Sequence, residues 1–258
     1  MSIRNHNFGV ERVGGAGLGS KNGQGIYTES STARYPIGEK LELADGRVFR
    51  YGYTAAAINR GLLVAQDVSA TAIVESDGRL TAASAGATEV TYTDSGTVGS
   101  ATLNQYAGGY LHITDDAGEG YQYRIKSNTA ASSDAITFTL YDALQVAVTT
   151  ATDVAVTGSL WYNVVGATAG TDYIIAGVTP MTFQANYYGW FQTAGIATVL
   201  METNGSAVPA IGDNLTLGDG TGGACQLKDA ETEPLVGIAC SVGTTGAFIG
   251  VILRLGEV

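Results

Sequence analysis

Charged residues are scarce in this chain, and their scarcity limits what its surface can do. Lysine, arginine, aspartate and glutamate make up 14% of its 258 residues, whereas an exposed protein surface usually carries about 25–35% of them. Because 45% of the residues are hydrophobic, we expect the chain to fold. Two interpretations stay open: a surface largely covered by other protein, or a β-domain coated with threonine and serine.

Basic residues are scarcer than acidic ones, and the two kinds are unevenly distributed. Residues 1–60 contain eight basic and five acidic side chains, and the rest of the chain contains five and nineteen. An acidic body repels phosphate, so the sequence predicts no nucleic-acid partner. No segment reaches the roughly 18 apolar residues of a membrane span, and the first ten residues lack the apolar core of an export signal. We therefore also expect no membrane partner.

Histidine and cysteine are rare, with two of each, which limits acid–base and metal chemistry. A catalytic triad would have to use His112, yet no G-x-S-x-G nucleophile motif exists. Because an export signal is not evident, we interpret Cys225 and Cys240 as reduced core thiols, with a disulfide between neighbouring strands as the alternative. They have neither a CxxC pattern nor a nearby histidine, so we predict no zinc site.

The acidic loop and the glycine run do not match known binding motifs. The loop DDAGEG at 115–120 lacks the spacing of a calcium loop. The glycine-rich run at 13–25 does not match a phosphate-binding loop. The sequence therefore predicts a protein with no catalytic residue, metal or cofactor, which is not an enzyme.

Residues 1–37 are predicted to form an extended, glycine-rich arm. Glycines and the absence of apolar periodicity argue against a helix or an independent strand. Spaced apolar and basic side chains are typical of a segment that inserts them singly into a partner's surface, although a disordered terminus is the alternative. The predicted contact residues of the arm are Arg4, Phe8, Arg12, Leu18, Lys21, Tyr27, Arg34 and Tyr35.

Residues 38–258 are predicted to form an all-β body, a barrel or sandwich of short antiparallel strands. Alternation is clear around Tyr121, Tyr123 and Ile125, and turn signals separate many short apolar runs. The stretch 54–61 is the one predicted helix. A candidate inserted subdomain covers about 88–165. The closing strand AFIGVILRL alternates little, which favours a strand covered on both faces.

An aromatic cluster in the second half of the chain is the strongest local feature. Tyr187, Tyr188, Trp190 and Phe191 surround Gly189, where a bulge or close backbone approach is expected. Such residues could form a platform for sugars, a core, or a subunit interface. We favour core plus subunit interface because no polar partners of a ligand pocket are evident.

Several stretches resemble the capsid decoration (cement) proteins of tailed bacteriophages. YYGWFQTAGIATVL, AIGDNLTLGDGTGGACQL and EPLVGIACSVGTTGAFIGVILRL are similar to the closing part of these proteins. GRVFRYGYTAAAINRGLLVAQ resembles their opening β-segment, and the runs GYQYRIKSN, ITFTLYDAL and TDVAV resemble their middle region. The resemblance covers about 41–258.

This resemblance implies a structural virion protein that cements the outer capsid surface. It implies a homotrimer that bridges neighbouring subunits of the major capsid protein. Two rival functions remain: a virion adhesin that recognises host glycans through exposed aromatic residues, and a glycan hydrolase with a facing pair of carboxylates. A major capsid protein is disfavoured because long helical segments are missing from the sequence.

Overall fold

A computed structural model describes residues 12–13, 20–21, 24–66, 74–93, 101–168, 174–202, 208–231 and 233–255. These residues form nineteen β-strands and no helix, which confirms the all-β prediction. Contacts between residues divide the chain into two units. Unit 1 comprises 1–66 and 163–258, and unit 2 comprises 67–162. The sequence analysis placed a candidate subdomain at about 88–165, whereas the boundaries of unit 2 also take in the strand Val74–Leu80.

Unit 1 contains an eleven-stranded, mostly antiparallel sheet whose main path runs in the order β1-β4-β5-β15-β19-β18-β16-β17. β6, β13 and β14 pair beside this path, and β2 and β3 form a separate pair. The strands are β1 Arg12–Val13, β2 Ser20–Lys21, β3 Gln24–Gly25, β4 Lys40–Leu43, β5 Val48–Tyr53, β6 Leu63–Gln66, β13 Val164–Gly166, β14 Ile175–Val178, β15 Tyr188–Leu200, β16 Asn214–Leu217, β17 Cys225–Leu227, β18 Gly237–Ala239 and β19 Phe248–Arg254.

The long strand β15 organises this sheet by pairing with β5 along its first half and with β19 along its second. The register shifts between Gln192 and Ala194, as in a β-bulge. The side-chain amide of Gln192 donates hydrogen bonds to the carbonyl oxygens of Ala194 (3.1 Å) and Ile196 (2.9 Å). Gly195 follows with φ of 82°, a conformation that glycine adopts without strain. Before the bulge both faces of β15 are buried, and after it one face is exposed.

Among the described residues of unit 1, two hydrophobic clusters contribute to its core. The first lies where β5 meets β15 and is largely aromatic, with members Ile26, Tyr35, Leu41, Phe49, Tyr51 and Trp190. The second is aliphatic and lies under the inward side of β19, where Ile249, Val251 and Leu253 are buried. Burial of such side chains contributes roughly 1.5–3 kcal/mol each to folding.

Unit 2 is a closed six-stranded antiparallel barrel in the order β10-β11-β8-β7-β12-β9. Closure pairs every strand on both sides, so the barrel has no free edge. Its interior is filled by alternating side chains such as Leu111, Ile125 and Phe138. The strands are β7 Val74–Leu80, β8 Glu89–Thr93, β9 Tyr110–Asp115, β10 Gln122–Asn128, β11 Ala135–Leu140 and β12 Asp153–Thr157.

The predicted helix at 54–61 is wrong. The backbone N–H groups of Thr54, Ala55 and Ile58 donate to carbonyl oxygens far along the chain, in residues 187, 164 and 183 respectively. In a helix the N–H of Ile58 would instead donate to the carbonyl oxygen of Thr54, four residues earlier. The side chain of Ile58 is buried. The stretch is therefore irregular chain tied to neighbouring strands.

The prediction that the closing strand is covered on both faces is also wrong. In β19 buried and exposed positions alternate, with Ile249, Val251 and Leu253 inside. Phe248 and Ile252 lie on the other face and are 49% and 40% exposed. The apolar residues of this strand looked continuous in the sequence because the strand presents apolar side chains to solvent as well as to the core.

Candidate interaction surface

The aromatic cluster predicted from the sequence divides into core and half-buried residues. Trp190 is fully buried opposite Tyr51, with its indole N–H donating to the carbonyl oxygen of Gln24 (3.2 Å). Phe191 is buried on the opposite face of β15, with its ring 5.1 Å from that of Phe183. These two residues are therefore core residues, as one branch of the prediction had it.

The two tyrosines of this cluster are only half-buried. Tyr188 lies against the ring of Tyr53 at 4.8 Å, and burial raises its pKa above the usual value. Tyr187 uses its carbonyl oxygen to accept a hydrogen bond from the backbone N–H of Thr54 (2.9 Å). Tyr187 thus helps to anchor the irregular stretch after β5, and Tyr188 pairs with β5 and with the backbone of Ser30. Whether the two tyrosines also contact another subunit stays a prediction.

The last part of the predicted arm packs into unit 1. Tyr35 is 7% exposed, and its ring lies 5.1 Å from the rings of both Tyr51 and Trp190. The prediction that Tyr35 contacts a partner surface is corrected, because this side chain is enclosed by the chain's own core. Tyr27 is 53% exposed and Arg34 is exposed, so these side chains do lie at the surface.

The other predicted arm residues lie partly or wholly outside the described residues. Arg4, Phe8 and Leu18 are outside them. Arg12 lies in β1, which pairs in parallel with β4, and Lys21 lies in β2, which pairs with β3. These strand pairings place the backbone at two points of the arm beside unit 1.

A buried polar network anchors residues 24–35 to β5. The hydroxyl of Tyr51 donates to Oε1 of Gln24 (2.9 Å) and accepts from the backbone N–H of Arg34 (3.0 Å). The amide nitrogen of Gln24 donates to the carbonyl oxygens of Thr28 (3.1 Å) and Tyr188 (3.0 Å). Burial raises the pKa of Tyr51 to about 12, so the hydroxyl stays protonated and can donate.

An apolar row crosses the outward face of the sheet in unit 1. Ile196 in β15 pairs directly with Ile252 in β19, which pairs directly with Ile238 in β18. Neighbouring strands lie about 4.8 Å apart, so the three side chains form a line about 10 Å long. Ile196 is 62% exposed. These three isoleucines and Phe248 are called the apolar row below.

Phe248 extends the row toward a glycine that leaves room for its ring. A Cβ atom added to Gly61 would lie 2.6 Å from Cε1 of Phe248. Gly61 has φ of 71°, and its carbonyl oxygen accepts from the N–H of Leu200, the cross-strand partner of Phe248. Glycine is therefore required at this position both by conformation and by the close approach of the ring.

A cavity of about 310 Å³ opens beside the apolar row. Ile196 and Phe248 line it together with Tyr27 and two arginines, Arg47 and Arg60. Arg47 also pairs with Asp45, with Nε and Oδ2 2.7 Å apart, and this arginine's backbone N–H donation lowers the pKa of that carboxyl. The cavity is thus lined by apolar and by basic side chains.

The titratable groups whose motifs did not match a known site make local contacts: His112 and the acidic loop lie in unit 2, and both cysteines lie in unit 1. Nε2 of His112 lies 3.0 Å from the hydroxyl of Thr157, and Asp116 accepts from the hydroxyl of Thr149 (2.8 Å), which lowers the pKa of its carboxyl. Both cysteines are free. Burial raises the pKa of Cys225 to about 12, and Cys240 is half-buried.

No group of three or more His, Cys, Asp or Glu side chains that could hold a metal ion occurs in the part of the chain that the structure describes. None of those residues forms a helix that is long and apolar enough to cross a bilayer.

The sequence analysis missed the apolar row, although part of its signal was present. The run from 248 to 255 is apolar at nearly every position, which was interpreted as a doubly covered strand. Arg254, which is exposed at the end of β19, shows which face of that strand points outward. Every second residue of a strand points to the same face, so Ile252 and Phe248 lie on the outward face as well.

Comparisons with protein-family models, curated proteins and solved structures found no match. Among the described residues of unit 1, the apolar row with its neighbouring arginines has the composition of a protein-binding surface.

Proposed function

We propose that this chain is a structural virion protein that decorates the outer surface of a bacteriophage capsid and bridges neighbouring major capsid protein subunits. The observation that carries the proposal is the exposed apolar row on β15, β19 and β18. The resemblance of residues 41–258 to capsid decoration proteins supplies the identity of the partner. A homotrimer on the capsid surface is part of the proposal and rests on that resemblance alone.

The apolar row supports contact with a protein because its side chains gain from leaving water. Ile196, Ile252 and Phe248 are all at least 40% exposed. Burying an apolar side chain completely contributes roughly 1.5–3 kcal/mol, so a few such residues can dominate an interface. Across many copies on a shell, even interfaces of about 1,600 Å² would add a large total stabilisation.

Arginines at the margins of the apolar row favour an acidic partner over a second copy of the same face. Arg47 and Arg60 line the cavity beside Ile196 and Phe248, and Arg254 lies two residues beyond Ile252. A two-fold contact of this face with itself would bring these cations toward one another, which is unfavourable. We therefore assign the face to the major capsid protein and place contacts between copies elsewhere.

The experiment measures binding of the purified protein to preformed heads of the phage that encodes it. Sedimentation of mixtures gives the affinity and the number of copies bound. The test variants are Ile252→Asp and the double change Ile196→Asp with Ile252→Asp. The matched control is Ile211→Asp, because Ile211 is a 68% exposed isoleucine of unit 1 that lies outside the row.

We expect each test variant to bind at least about tenfold more weakly, because an aspartate in the centre of an interface would be desolvated. The control should bind like the unmodified protein, and all three variants should unfold at nearly the same temperature. Unchanged binding of the double variant, or no binding of the unmodified protein to heads, would contradict the proposal. Analytical ultracentrifugation separates this result from a loss of the homotrimer.

A further inference from the structure

Unit 2 exposes tyrosine where unit 1 exposes aliphatic side chains. Among the described residues of unit 2, the large hydrophobic side chains with high exposure are Leu103, Tyr110, Tyr121 and Tyr141. Two of these tyrosines, Tyr110 and Tyr141, lie on the outer side of the barrel around β10. Tyrosine offers a rigid ring and a polar hydroxyl at little cost in conformational entropy, which makes it common in binding sites.

Tyr110, Arg124 and Tyr141 form a row across three neighbouring strands of the barrel. Tyr110 in β9 pairs directly with Arg124 in β10. The backbone N–H of Tyr141, just after β11, donates to the carbonyl oxygen of Arg124 (3.0 Å). The intervening positions, such as Leu111 and Ile125, point into the buried interior. This set is called the tyrosine–arginine row.

The guanidinium group of Arg124 lies over an aromatic ring of this row. Its Cζ lies 5.0 Å from the ring centroid of Tyr141, a distance typical of a cation–π contact. Guanidinium N–H groups point outward in the guanidinium plane, so contact of its face with a ring does not block their hydrogen-bonding directions. The contact with Tyr141 thereby helps to orient the arginine.

Further hydrogen-bonding side chains continue the same surface. The next cross-strand pair is His112 with Gln122, and the His112 ring lies 6.3 Å from that of Tyr110. Nε2 of His112 is near the hydroxyl of Thr157, which helps to orient the imidazole. The surface therefore combines two exposed rings with guanidinium, imidazole and amide groups.

The charge of unit 2 limits the ligand that such a surface can take. Residues 67–162 contain eleven acidic and three basic side chains. One of the three, Arg79, pairs with Asp153, and the other two, Arg124 and Lys126, lie in β10. A unit this acidic repels nucleic acid and densely charged polysaccharides. A neutral ligand with many hydroxyl groups is free of this repulsion.

We propose that the tyrosine–arginine row binds a glycan composed mainly of neutral hexoses. The apolar faces of sugar rings would pack on Tyr110 and Tyr141, and sugar hydroxyls would hydrogen-bond to Arg124, Gln122 and His112. Small-molecule sites usually combine aromatic surfaces with a small number of polar groups that fix the orientation of the ligand. This activity is separate from capsid decoration, because it is located on unit 2 and does not use the apolar row.

The test measures binding of the full-length protein to dextran, mannan and galactan, with hyaluronan and single-stranded DNA as charged probes. Affinity electrophoresis or biolayer interferometry gives the dissociation constants. The test variants are Arg124→Ala, Tyr141→Ala and Tyr110→Ala. The matched controls are Arg79→Ala and Tyr121→Ala, an arginine and an exposed tyrosine of the same unit outside the row.

We expect binding to at least one neutral polysaccharide, weakened about tenfold or more by each alanine variant of the row. Both controls, Arg79→Ala and Tyr121→Ala, should bind like the unmodified protein. If the row served only to stabilise the barrel, Arg124→Ala would lower the unfolding temperature. Its polysaccharide binding, measured well below that temperature, would then be unchanged, and this result would overturn the proposal. Binding to none of the neutral polysaccharides, or only to the charged probes, would overturn it as well.

Discussion

At the scale of single residues, Tyr51 connects the segment before β4 to the centre of the sheet. Its hydroxyl joins Gln24 and the backbone of Arg34, while its ring packs against Tyr35 and Trp190. No sequence pattern indicates this network, because the partners are far apart along the chain. Residues 24–35, the last part of the predicted arm, are therefore held by specific side chains.

Replacing Tyr51 with phenylalanine tests this network. The change leaves Oε1 of the buried Gln24 without the Tyr51 donor and removes the acceptor of the Arg34 N–H, and a buried polar group left unpaired costs about 1–3 kcal/mol. We expect a loss of this size in the free energy of unfolding, measured by urea titration at neutral pH. Tyr121→Phe, at a 42% exposed position, is the control and should change it little.

The same tyrosine also predicts how stability depends on pH. Burial raises the pKa of Tyr51 to about 12, above the ordinary value near 10. A pKa that is higher in the folded state contributes stability that is complete below pH 10 and is lost as the pH rises through about 12. Tyr51→Phe should therefore lose less stability than the unmodified protein across this range. Parallel curves for the two proteins would show that Tyr51 is not the group responsible.

The two cysteines should react at very different rates. Cys225 is fully buried and burial raises its pKa to about 12, whereas Cys240 is half-buried. Since the thiolate is the reactive form, we expect a thiol reagent such as DTNB to label one cysteine in the native protein and two in guanidinium chloride. Cys240→Ala should remove the native labelling. Rapid labelling of this variant would contradict the burial of Cys225.

At the scale of elements, the sequence predicted that strands are present but did not predict which strands pair with one another. Alternation predicted β10 because Tyr123 and Ile125 point inward while Arg124 and Lys126 point outward. The stretch around Ile58 was predicted as a helix because its long-range hydrogen bonds to strands have no local signature. The apolar row was missed because strand register decides which side chains meet, and register depends on pairing over long distances.

Two truncations distinguish the arm hypothesis from the packing of residues 24–35. Deleting 1–37 removes Gln24, Ile26 and Tyr35, all of which are buried in unit 1. We expect that deletion to prevent cooperative folding, because it opens a cavity beside Trp190 and leaves Tyr51 without its partners. Deleting 1–23 keeps these residues, so the shortened protein should fold.

The measurements for these truncations are circular dichroism with thermal unfolding, followed by sedimentation with phage heads. If residues 1–23 contact the capsid, the shorter deletion should fold normally and occupy fewer sites on the heads. Full occupancy would show that this segment is not needed for decoration. A cooperative transition in the protein that lacks 1–37 would contradict the packing role of Gln24, Ile26 and Tyr35.

At the scale of the whole molecule, the barrel is inserted between two adjacent strands of unit 1. Gln66, at the end of β6, is the direct antiparallel partner of Val164, at the start of β13. The chain therefore leaves unit 1 and returns to it at neighbouring positions. Each unit has its own hydrophobic clusters, which is the usual condition for independent folding.

Excising the barrel tests this organisation and separates the two proposed activities. Residues 67–163 are replaced by Asn-Gly, because a two-residue turn can close an antiparallel hairpin between Gln66 and Val164. The shortened protein should unfold cooperatively, bind phage heads as the full chain does and lose binding to neutral polysaccharides. A barrel made from 67–162 alone should show the opposite pair of results. If the folded, shortened protein lost its affinity for heads, the capsid contact would lie in unit 2, and if it kept polysaccharide binding, the glycan site would lie in unit 1.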